Sequence, residues 1–295
     1  MSINNIGILG GGFGLYGYMP AALQSNYTTL VLSKYKEIIA VHPILKIYLH
    51  QLKFIDSELD LLDASDLLVF ARTPKMQFDL IRNLSDPSKV YFFEKPLTQD
   101  ISTHKIALNH LEKLKFKYSV NYAFMRTDWF KELARLSSIK PLKILINWEI
   151  SKPQSKWKTE LNSGGGLFHY YGIHFASIFK QLNIPIESIR VLMRSNLLEI
   201  YTDDNCQFDI NLKIEFSDKS RFNIKVLESS SDKTLYSKNL ISPFGVEIAT
   251  DKLDPRISGI IQYYKESLNQ DFFKNASSFE NYVLEFRTSY DEQSV

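Results

Sequence analysis

The chain contains very little cysteine and no concentration of charge of one sign. Cys206 is the single cysteine among 295 residues, so an intrachain disulfide and a cluster of metal-binding thiols are both excluded. The 35 lysine and arginine residues nearly balance the 33 aspartate and glutamate residues, and they form no basic stripe of the kind that binds a phosphate backbone. Nucleic acid is therefore not an expected partner.

Long apolar runs and targeting patterns are absent as well. No stretch of about 18 consecutive apolar residues occurs, and residues 1–5 show no basic flank followed by an apolar core. We expect a soluble, cytoplasmic protein without a membrane partner. The alternating residues that follow Cys206 are typical of a strand, so we interpret its thiol as a small packing group.

The sequence also lacks the patterns of several other kinds of site. The six histidines show no ligand spacing with carboxylate support, so no metal site is expected. Neither a Gly-x-Ser-x-Gly motif nor a phosphate loop ending in Lys-Ser/Thr is present, which leaves acyl and phosphoryl transfer without support.

The order of apolar runs predicts an α/β protein of two domains. In the first third, short apolar runs alternate with helical stretches, which is typical of parallel strands joined by helices. After Pro141, long alternating stretches indicate an antiparallel sheet. We predict one domain over residues 1–118 and a second, α+β domain over 119–295. The predicted strands are 6–9, 28–32, 66–71, 90–93, 118–124, 142–150, 188–193, 206–216 and 220–227, and the predicted helices are 14–24, 74–84, 102–116, 129–136, 166–182, 255–273 and 279–290.

A glycine-rich turn follows the first predicted strand. Gly10, Gly12, Phe13 and Gly14 lie between the apolar residues 6–9 and a helical stretch. Glycines at such a turn allow the pyrophosphate of a dinucleotide to approach the backbone N–H groups at the start of the helix. The pattern predicts a Rossmann domain that binds NAD or NADP, although an ordinary tight turn is the alternative.

The second predicted strand ends without the acid that usually binds the ribose 2′-hydroxyl of NAD. Ser33 and Lys34 stand there instead. A serine hydroxyl with two nearby lysines, Lys34 and Lys36, suits a 2′-phosphate, so we favour NADP over NAD. The alternative is a solvated basic loop without a role in binding.

Three further segments accompany the glycine turn in a fixed order. They are Ala71-Arg72-Thr73-Pro74, Glu94-Lys95-Pro96 and Gly164-Gly165-Gly166 followed by residues 167–174. With the glycine turn, they make residues 3 to about 180 resemble the glucose–fructose oxidoreductase, inositol dehydrogenase and rhizopine-catabolism (Gfo/Idh/MocA) family. The resemblance implies a Rossmann domain followed by a domain with a large, mostly antiparallel open sheet. It also implies a homo-oligomer, a dimer or tetramer formed through that sheet.

The resemblance implies roles for several of these residues. It places Arg72, Thr73, Pro74 and Glu94 at the cofactor, and it places Lys95 beside the nicotinamide, in contact with cofactor and substrate hydroxyl. An ammonium group there stabilises alkoxide character while a hydride is transferred. A solvated lysine at the end of a strand is the structural alternative.

The family's aspartate and histidine, four residues apart on one helix face, correspond here to Tyr170 and His174. His174 keeps the position of the general acid/base, but Tyr170 removes the carboxylate that would orient the imidazole. Either the Tyr170 phenol hydrogen-bonds the substrate or the side chain only packs. A buried structural histidine is the alternative for His174, and the neighbouring His169 points to another face.

Substrate contacts are expected from Asn121, Tyr122, Arg126 and Trp157, where Trp157 offers a ring for stacking on a sugar. An incidental surface tryptophan is the alternative. The expected function is an NAD(P)-dependent oxidoreductase that transfers hydride between nicotinamide and a hydroxyl or carbonyl carbon of a sugar, sugar nucleotide or polyol. The alternatives are a non-catalytic cofactor-binding regulator and a reductase of imines or C=C bonds.

Overall fold

A computed structural model describes residues 3–137, 141–153, 155–203, 207–246 and 253–293. Cys206, and with it our interpretation of its thiol, therefore lies outside the described residues. The chain divides into two compact units. The first unit comprises Met1–Thr98, Ser102–Asn121 and Ile248–Ser278, and the second comprises Gln99–Ile101, Tyr122–Glu247 and Phe279–Val295. The chain passes from the first unit to the second between residues 121 and 122, three residues after the predicted boundary. The later segment Ile248–Ser278 belongs to the first unit again.

The described elements alternate in the first third and are rich in strands afterwards. The strands are β1 Asn5–Leu9, β2 Thr28–Leu32, β3 Leu52–Ile55, β4 Leu67–Phe70, β5 Val90–Glu94, β6 Lys117–Asn121, β7 Leu142–Ser151, β8 Ile189–Arg194, β9 Leu197–Thr202, β10 Phe208–Ser217, β11 Arg221–Glu228 and β12 Thr234–Leu240. The α-helices are α1 Met19–Gln24, α2 Lys36–Val41, α3 Glu58–Ala64, α4 Pro74–Ile81, α5 Ile101–Lys113, α6 Asp128–Ser137, α7 Ile173–Gln181, α8 Ile257–Glu266 and α9 Ala276–Gln293.

The first unit contains a parallel sheet in the order β3-β2-β1-β4-β5-β6. Its central strands are buried on both faces, which explains their continuous apolar sequences. This order is that of a Rossmann fold and confirms the predicted class. Two of its strands differ from the prediction by more than one residue. Strand β3 was not predicted, because it is short and contains Lys53. Strand β6 ends at Asn121 rather than 124, because a 3₁₀ turn covers Ala123–Arg126.

The second unit contains a sheet in the order β12-β11-β7-β10-β9-β8. Its neighbouring strands pair antiparallel except β7 and β10, which run parallel. The predicted mostly antiparallel sheet is confirmed. Strands β9 and β12 were not predicted from the pattern. β12 escapes a search for apolar alternation because its side chains are exposed or only half-buried.

Two of the predicted helices begin with a π-helical turn. Residues Gly14–Tyr18 precede α1, and Leu167–Gly172 precede α7. Single π turns are rare in proteins, and those that occur are often found at functional sites. Both π turns of this chain contain residues of the sequence motifs. The predicted helix 255–273 is α8 followed by a 3₁₀ turn at Gln270–Phe273. Among the described residues, no helix combines the length and apolar character needed to cross a bilayer.

Candidate functional site

The glycine turn lies at the carboxyl end of β1, where the order of the parallel sheet reverses. β1 pairs with β2 on one side and β4 on the other, and ligands of open α/β sheets bind at such a reversal. A Cβ atom on Gly10 would lie 2.1 Å from the backbone oxygen of Ala71, and Gly10 has φ of +150°. A Cβ atom on Gly12 would meet nothing within 4 Å. Gly10 therefore allows the turn, and Gly12 leaves open space above it.

The remaining turn residues complete the start of the helix. Phe13 packs back over Gly17 and contacts the ring of Tyr18 with the centroids 5.1 Å apart. Leu15 occupies the third motif position and is fully buried, whereas a Cβ on Gly14 would approach Ile8 at 3.2 Å. Gly14 thus provides the close packing of helix on strand that a later glycine usually provides.

Three polar side chains beside the turn, those of Ser33, Lys34 and Arg72, are already paired with acids. Ser33 donates a hydrogen bond to Asp56 at 2.5 Å. Lys34 lies 3.4 Å from Glu58 Oε1, and Arg72 binds the same carboxylate with two guanidinium nitrogens, one at 3.0 Å. The hydrogen bonds from Arg72 are the main reason why the pKa of Glu58 lies below its usual value, and Lys34 adds to the effect.

A buried hydrogen-bond network fixes the carboxyl end of β5. Gln77 accepts from the Glu94 N–H at 2.8 Å and donates to the carbonyls of Glu94 and Pro96. The Glu94 carboxylate accepts hydrogen bonds from Tyr18 at 2.6 Å and from Asn121 at 3.2 Å. Asn121 is therefore a support of Glu94. Lys95 itself is buried, with 8% of its surface exposed, so it is not the solvated lysine of the structural alternative.

Burial and the groups around Glu94 shift the pKa of its carboxyl in opposite directions. Burial raises the pKa of the Glu94 carboxyl above its usual value, while Tyr18, Arg256 and Lys95 oppose this shift. The same burial, with Glu94 nearby, raises the pKa of Tyr18 well above its usual value. Arg256 stands over the Phe13 ring, 3.6 Å from its centroid. A cation from the late segment 248–278 is thus held beside the glycine turn.

Thr73 and Pro74 begin helix α4 directly after β4. Thr73 is its N-terminal cap residue and Pro74 its first residue. Their backbone follows Ala71, whose carbonyl packs against Gly10. The structure therefore brings together, within the first unit, the turn at Gly10–Gly14, the segment 72–74 and the end of β5.

In the second unit, the triple glycine at 164–166 allows the backbone at Trp157 to come close to the chain just before the π turn Leu167–Gly172. A Cβ on Gly165 would lie 2.2 Å from the backbone oxygen of Trp157, so only glycine permits this approach. Trp157 contacts Tyr170 edge to face with the centroids 5.1 Å apart. The ammonium group of Lys158 lies 5.5 Å from the centroid of the Tyr170 ring. Tyr170 is thus packed into a half-exposed group of two rings and a cation.

His174 lies in a different aromatic environment. Its ring stacks on Phe124 with the centroids 4.1 Å apart and an angle of 8° between the planes, and 7% of the residue is exposed. Trp148 lies 6.4 Å away in an edge-to-face arrangement. This packing fixes the plane of the imidazole.

Tyr122 and Arg126 flank Phe124 in the chain. Tyr122 is buried and donates a hydrogen bond to Glu280 at 3.3 Å, and its ring packs against Phe279. Arg126 is half-buried at the end of the 3₁₀ turn. Tyr122 thus contributes to the packing of α9 within the second unit.

The motifs indicate the candidate site but not the side chains that support it. Tyr18, Gln77, Asp56, Glu58 and Arg256 were not predicted as site residues. They are distant in sequence from the groups they contact, and no spacing rule links them. Asp56 had a possible signal, because it follows the short apolar run of β3 as Ser33 follows β2. Among the described residues, no group of three or more histidine, cysteine, aspartate or glutamate side chains is arranged to hold a metal ion.

The fold is shared with solved oxidoreductases. A Gfo/Idh/MocA family oxidoreductase from Vibrio cholerae matches with a TM-score of 0.70 at 9% identity, over 99% of each chain. The WlbA (WbpB) dehydrogenase from Thermus thermophilus, in complex with NAD and UDP-GlcNAcA, matches with a TM-score of 0.66 at 13% identity, over 98% of this chain and 94% of that chain.

A regulatory protein shares the same fold. The super-repressor mutant of Gal80p from Saccharomyces cerevisiae matches with a TM-score of 0.67 at 12% identity, over 99% of this chain and 95% of that chain. No protein-family model and no curated protein matches the sequence. At these identities the similarity establishes the fold. The chain has the fold of Gfo/Idh/MocA oxidoreductases, as the motifs implied.

Proposed function

We propose that the chain is a nicotinamide-dependent oxidoreductase that interconverts a hydroxyl and a carbonyl group on a sugar, sugar nucleotide or polyol. The observation that carries the proposal is the open space above Gly12 at the reversal of the parallel sheet, in the same unit as the buried Lys95. A dinucleotide fits this edge because backbone N–H groups at the start of a helix attract its pyrophosphate. The Thermus neighbour was solved with NAD, which supports the same ligand class.

Lys95 and His174 have distinct proposed roles. A bound nicotinamide would supply the hydride donor or acceptor. Lys95 would hold the substrate oxygen with its ammonium group and stabilise negative charge on that oxygen. His174, whose ring plane is fixed by Phe124, would exchange the hydroxyl proton. Tyr170 would present its phenol to the substrate from the group it forms with Trp157.

The proposed substrate class rests on the group formed by Trp157, Lys158 and Tyr170 and on one structure of similar fold. Trp157 is half-buried and offers an indole face to a sugar ring, while Lys158 supplies a positive charge for a phosphate or carboxylate. The Thermus dehydrogenase was solved with a sugar nucleotide, UDP-GlcNAcA. Arg126 and Asn121 remain predicted substrate contacts, and Tyr122 is one as well. The homo-oligomer through the second sheet also stays a prediction.

Turnover measured by nicotinamide absorbance at about 340 nm tests this proposal. We expect wild-type protein to oxidise or reduce at least one member of a panel of sugars, polyols and sugar nucleotides. Lys95→Ala should abolish turnover while cofactor binding persists, because the substituted group acts on the substrate oxygen. Lys89→Ala is the matched control, because Lys89 stands one residue before β5 and its ammonium group donates to three backbone carbonyls. Undiminished turnover by Lys95→Ala would refute the proposed role of Lys95 at the substrate oxygen.

A second candidate function is a cofactor-binding regulator without catalysis. Tyr170 in place of the family's aspartate and the similarity to the Gal80p repressor mutant favour it. It predicts cofactor binding that quenches tryptophan fluorescence, without turnover of any substrate in the panel. Reduction of an imine or C=C bond is the third candidate, since a phenol at position 170 is compatible with another proton donor. Including imines and enones in the panel separates it from carbonyl reduction.

A further inference from the structure

The carboxyl ends of β2, β3 and β4 carry a cluster of two cations and two carboxylates. Strands β2 and β3 end side by side, with Leu32 paired to Ile55. Ser33 follows β2 and donates to Asp56, which follows β3. Arg72 comes from beyond β4, on the far side of β1 in the sheet, and reaches Glu58 at the start of α3. The ion pair between Arg72 and Glu58 therefore crosses the carboxyl ends of β1 and β2, which lie between β4 and β3 in the sheet.

This edge is where a Rossmann fold holds the adenosine ribose of its cofactor. The position of the glycine turn agrees, because a Cβ on Gly11 would lie 3.0 Å from the ring of Tyr35, two residues after Ser33. The ribose 2′ substituent is thus expected beside the cluster. This step rests on the proposed function, since it presumes that the turn binds a dinucleotide.

Two cations at this edge, Arg72 and Lys34, already share one carboxylate. Arg72 grips both oxygens of Glu58 in a forked arrangement, and 10% of the Arg72 side chain is exposed. Lys34 lies 3.4 Å from the same carboxylate. Planar, bidentate pairing is also how arginine binds phosphate. Glu58 therefore makes the contacts that a 2′-phosphate would need.

We infer that Glu58 is a specificity-determining residue that makes the chain select NAD(H) over NADP(H), with its carboxylate standing in for the 2′-phosphate between Lys34 and Arg72. A 2′-phosphate brings a charge of about −1.5 to −2 close to Glu58 and Asp56. It must either displace Glu58 or suffer repulsion from both acids. A 2′-hydroxyl carries no charge, and Asp56 is available to accept its hydrogen bond. This inference reverses the preference for NADP that Ser33 and Lys34 favoured in the sequence.

The test is a fluorescence titration of the full chain with NADH and with NADPH. The wild type should bind NADH at least about 10-fold more tightly than NADPH, a difference that corresponds to one charged contact. Glu58→Gln should strengthen NADPH binding by about 10-fold or more and change NADH binding by less than about 3-fold. Because the gain is electrostatic, it should shrink as the salt concentration rises. Lys34→Ala added to Glu58→Gln should reverse part of the gain.

Glu132→Gln is the matched control, because Glu132 forms a comparable forked pair with Arg135 on α6. It should leave the NADH/NADPH affinity ratio unchanged. The inference is overturned if Glu58→Gln folds and its affinity ratio equals that of the wild type, or if wild type already prefers NADPH. Failure of the wild type to bind either dinucleotide overturns the proposed function itself. The two failures are thus distinguishable in one experiment.

Discussion

Among single residues, Glu280 on α9 combines deep burial with an ionisable group. Only 2% of the residue is exposed, and Tyr122 donates a hydrogen bond to it. Burial raises the pKa of the Glu280 carboxyl from 4.5 to about 8, against the smaller opposing effects of Tyr122 and Arg287. The folded protein therefore holds this carboxyl protonated at neutral pH, whereas the unfolded chain has it ionised.

This difference predicts how stability depends on pH. Folding takes up a proton at Glu280 between pH 4.5 and about 8, so this group makes the folded state progressively less stable as pH rises through that window. Glu280→Gln removes the effect. The free energy of unfolding of the variant should rise relative to wild type by at most about 1.4 kcal/mol per pH unit. Urea unfolding at several pH values measures it.

The control for this experiment is Glu285→Gln, an exposed position on the same helix. Burial lowers the pKa of His169 to about 4, so His169 destabilises the folded state as pH falls below 6.5. That contribution is present in wild type and variant alike and cancels in their difference. Parallel stability curves for wild type and Glu280→Gln between pH 5 and about 8 would contradict the burial of an uncharged Glu280.

Sequence motifs identify residues at the scale of the site but not the side chains that hold them. Glu94-Lys95 is recognisable because its residues are contiguous and follow a strand. Gln77, which binds the backbone on both sides of Lys95, and Tyr18, which binds Glu94, lie 17 and 76 residues from Glu94. Such contacts follow from tertiary packing. They leave no local pattern of period or spacing.

At the scale of elements, the turn from β1 into the first helix separates two uses of glycine. At Gly10 a side chain would collide with a backbone oxygen and meet an unfavourable φ, whereas at Gly12 it would enter open space. Gly10→Ala should therefore destabilise the fold by about 2 kcal/mol or more. Gly12→Ala should stay within about 1 kcal/mol of wild type. Thermal or urea unfolding of both variants gives the comparison, and equal losses would refute the distinction.

Element prediction succeeded where apolar residues were frequent. Strand β7 is long, and β1, β2 and β5 are buried at four of their five residues; the bounds of all four agree with the prediction within one residue. Strand β3 was missed because its four residues include the exposed Lys53, and β12 was missed because most of its side chains are exposed. The π turn before α7 has no sequence signal, because the period of a single turn is too short to measure.

At the scale of the whole molecule, the fold class was accessible because alternating and continuous apolar patterns differ between its two sheets. In contrast, the sequence did not predict that the segment Ile248–Ser278 belongs to the first unit. Helix α8 places Tyr263 against Phe92, with the ring centroids 4.2 Å apart, and Tyr264 donates to the backbone of Tyr18 at 3.3 Å. A helical pattern identifies the apolar face but not the distant surface that it covers.

The claim on which the proposed function depends is that the glycine turn binds a nicotinamide dinucleotide. The most direct test is a titration of wild type and Gly12→Ala with NADH, in which binding is measured by nicotinamide fluorescence. We predict saturable binding of one NADH per wild-type chain and at least about 10-fold weaker binding by Gly12→Ala, because the added methyl group occupies the space left for the pyrophosphate. Folded wild-type protein that binds neither NADH nor NADPH at about 1 mM, the upper end of usual enzyme affinities, would contradict the claim.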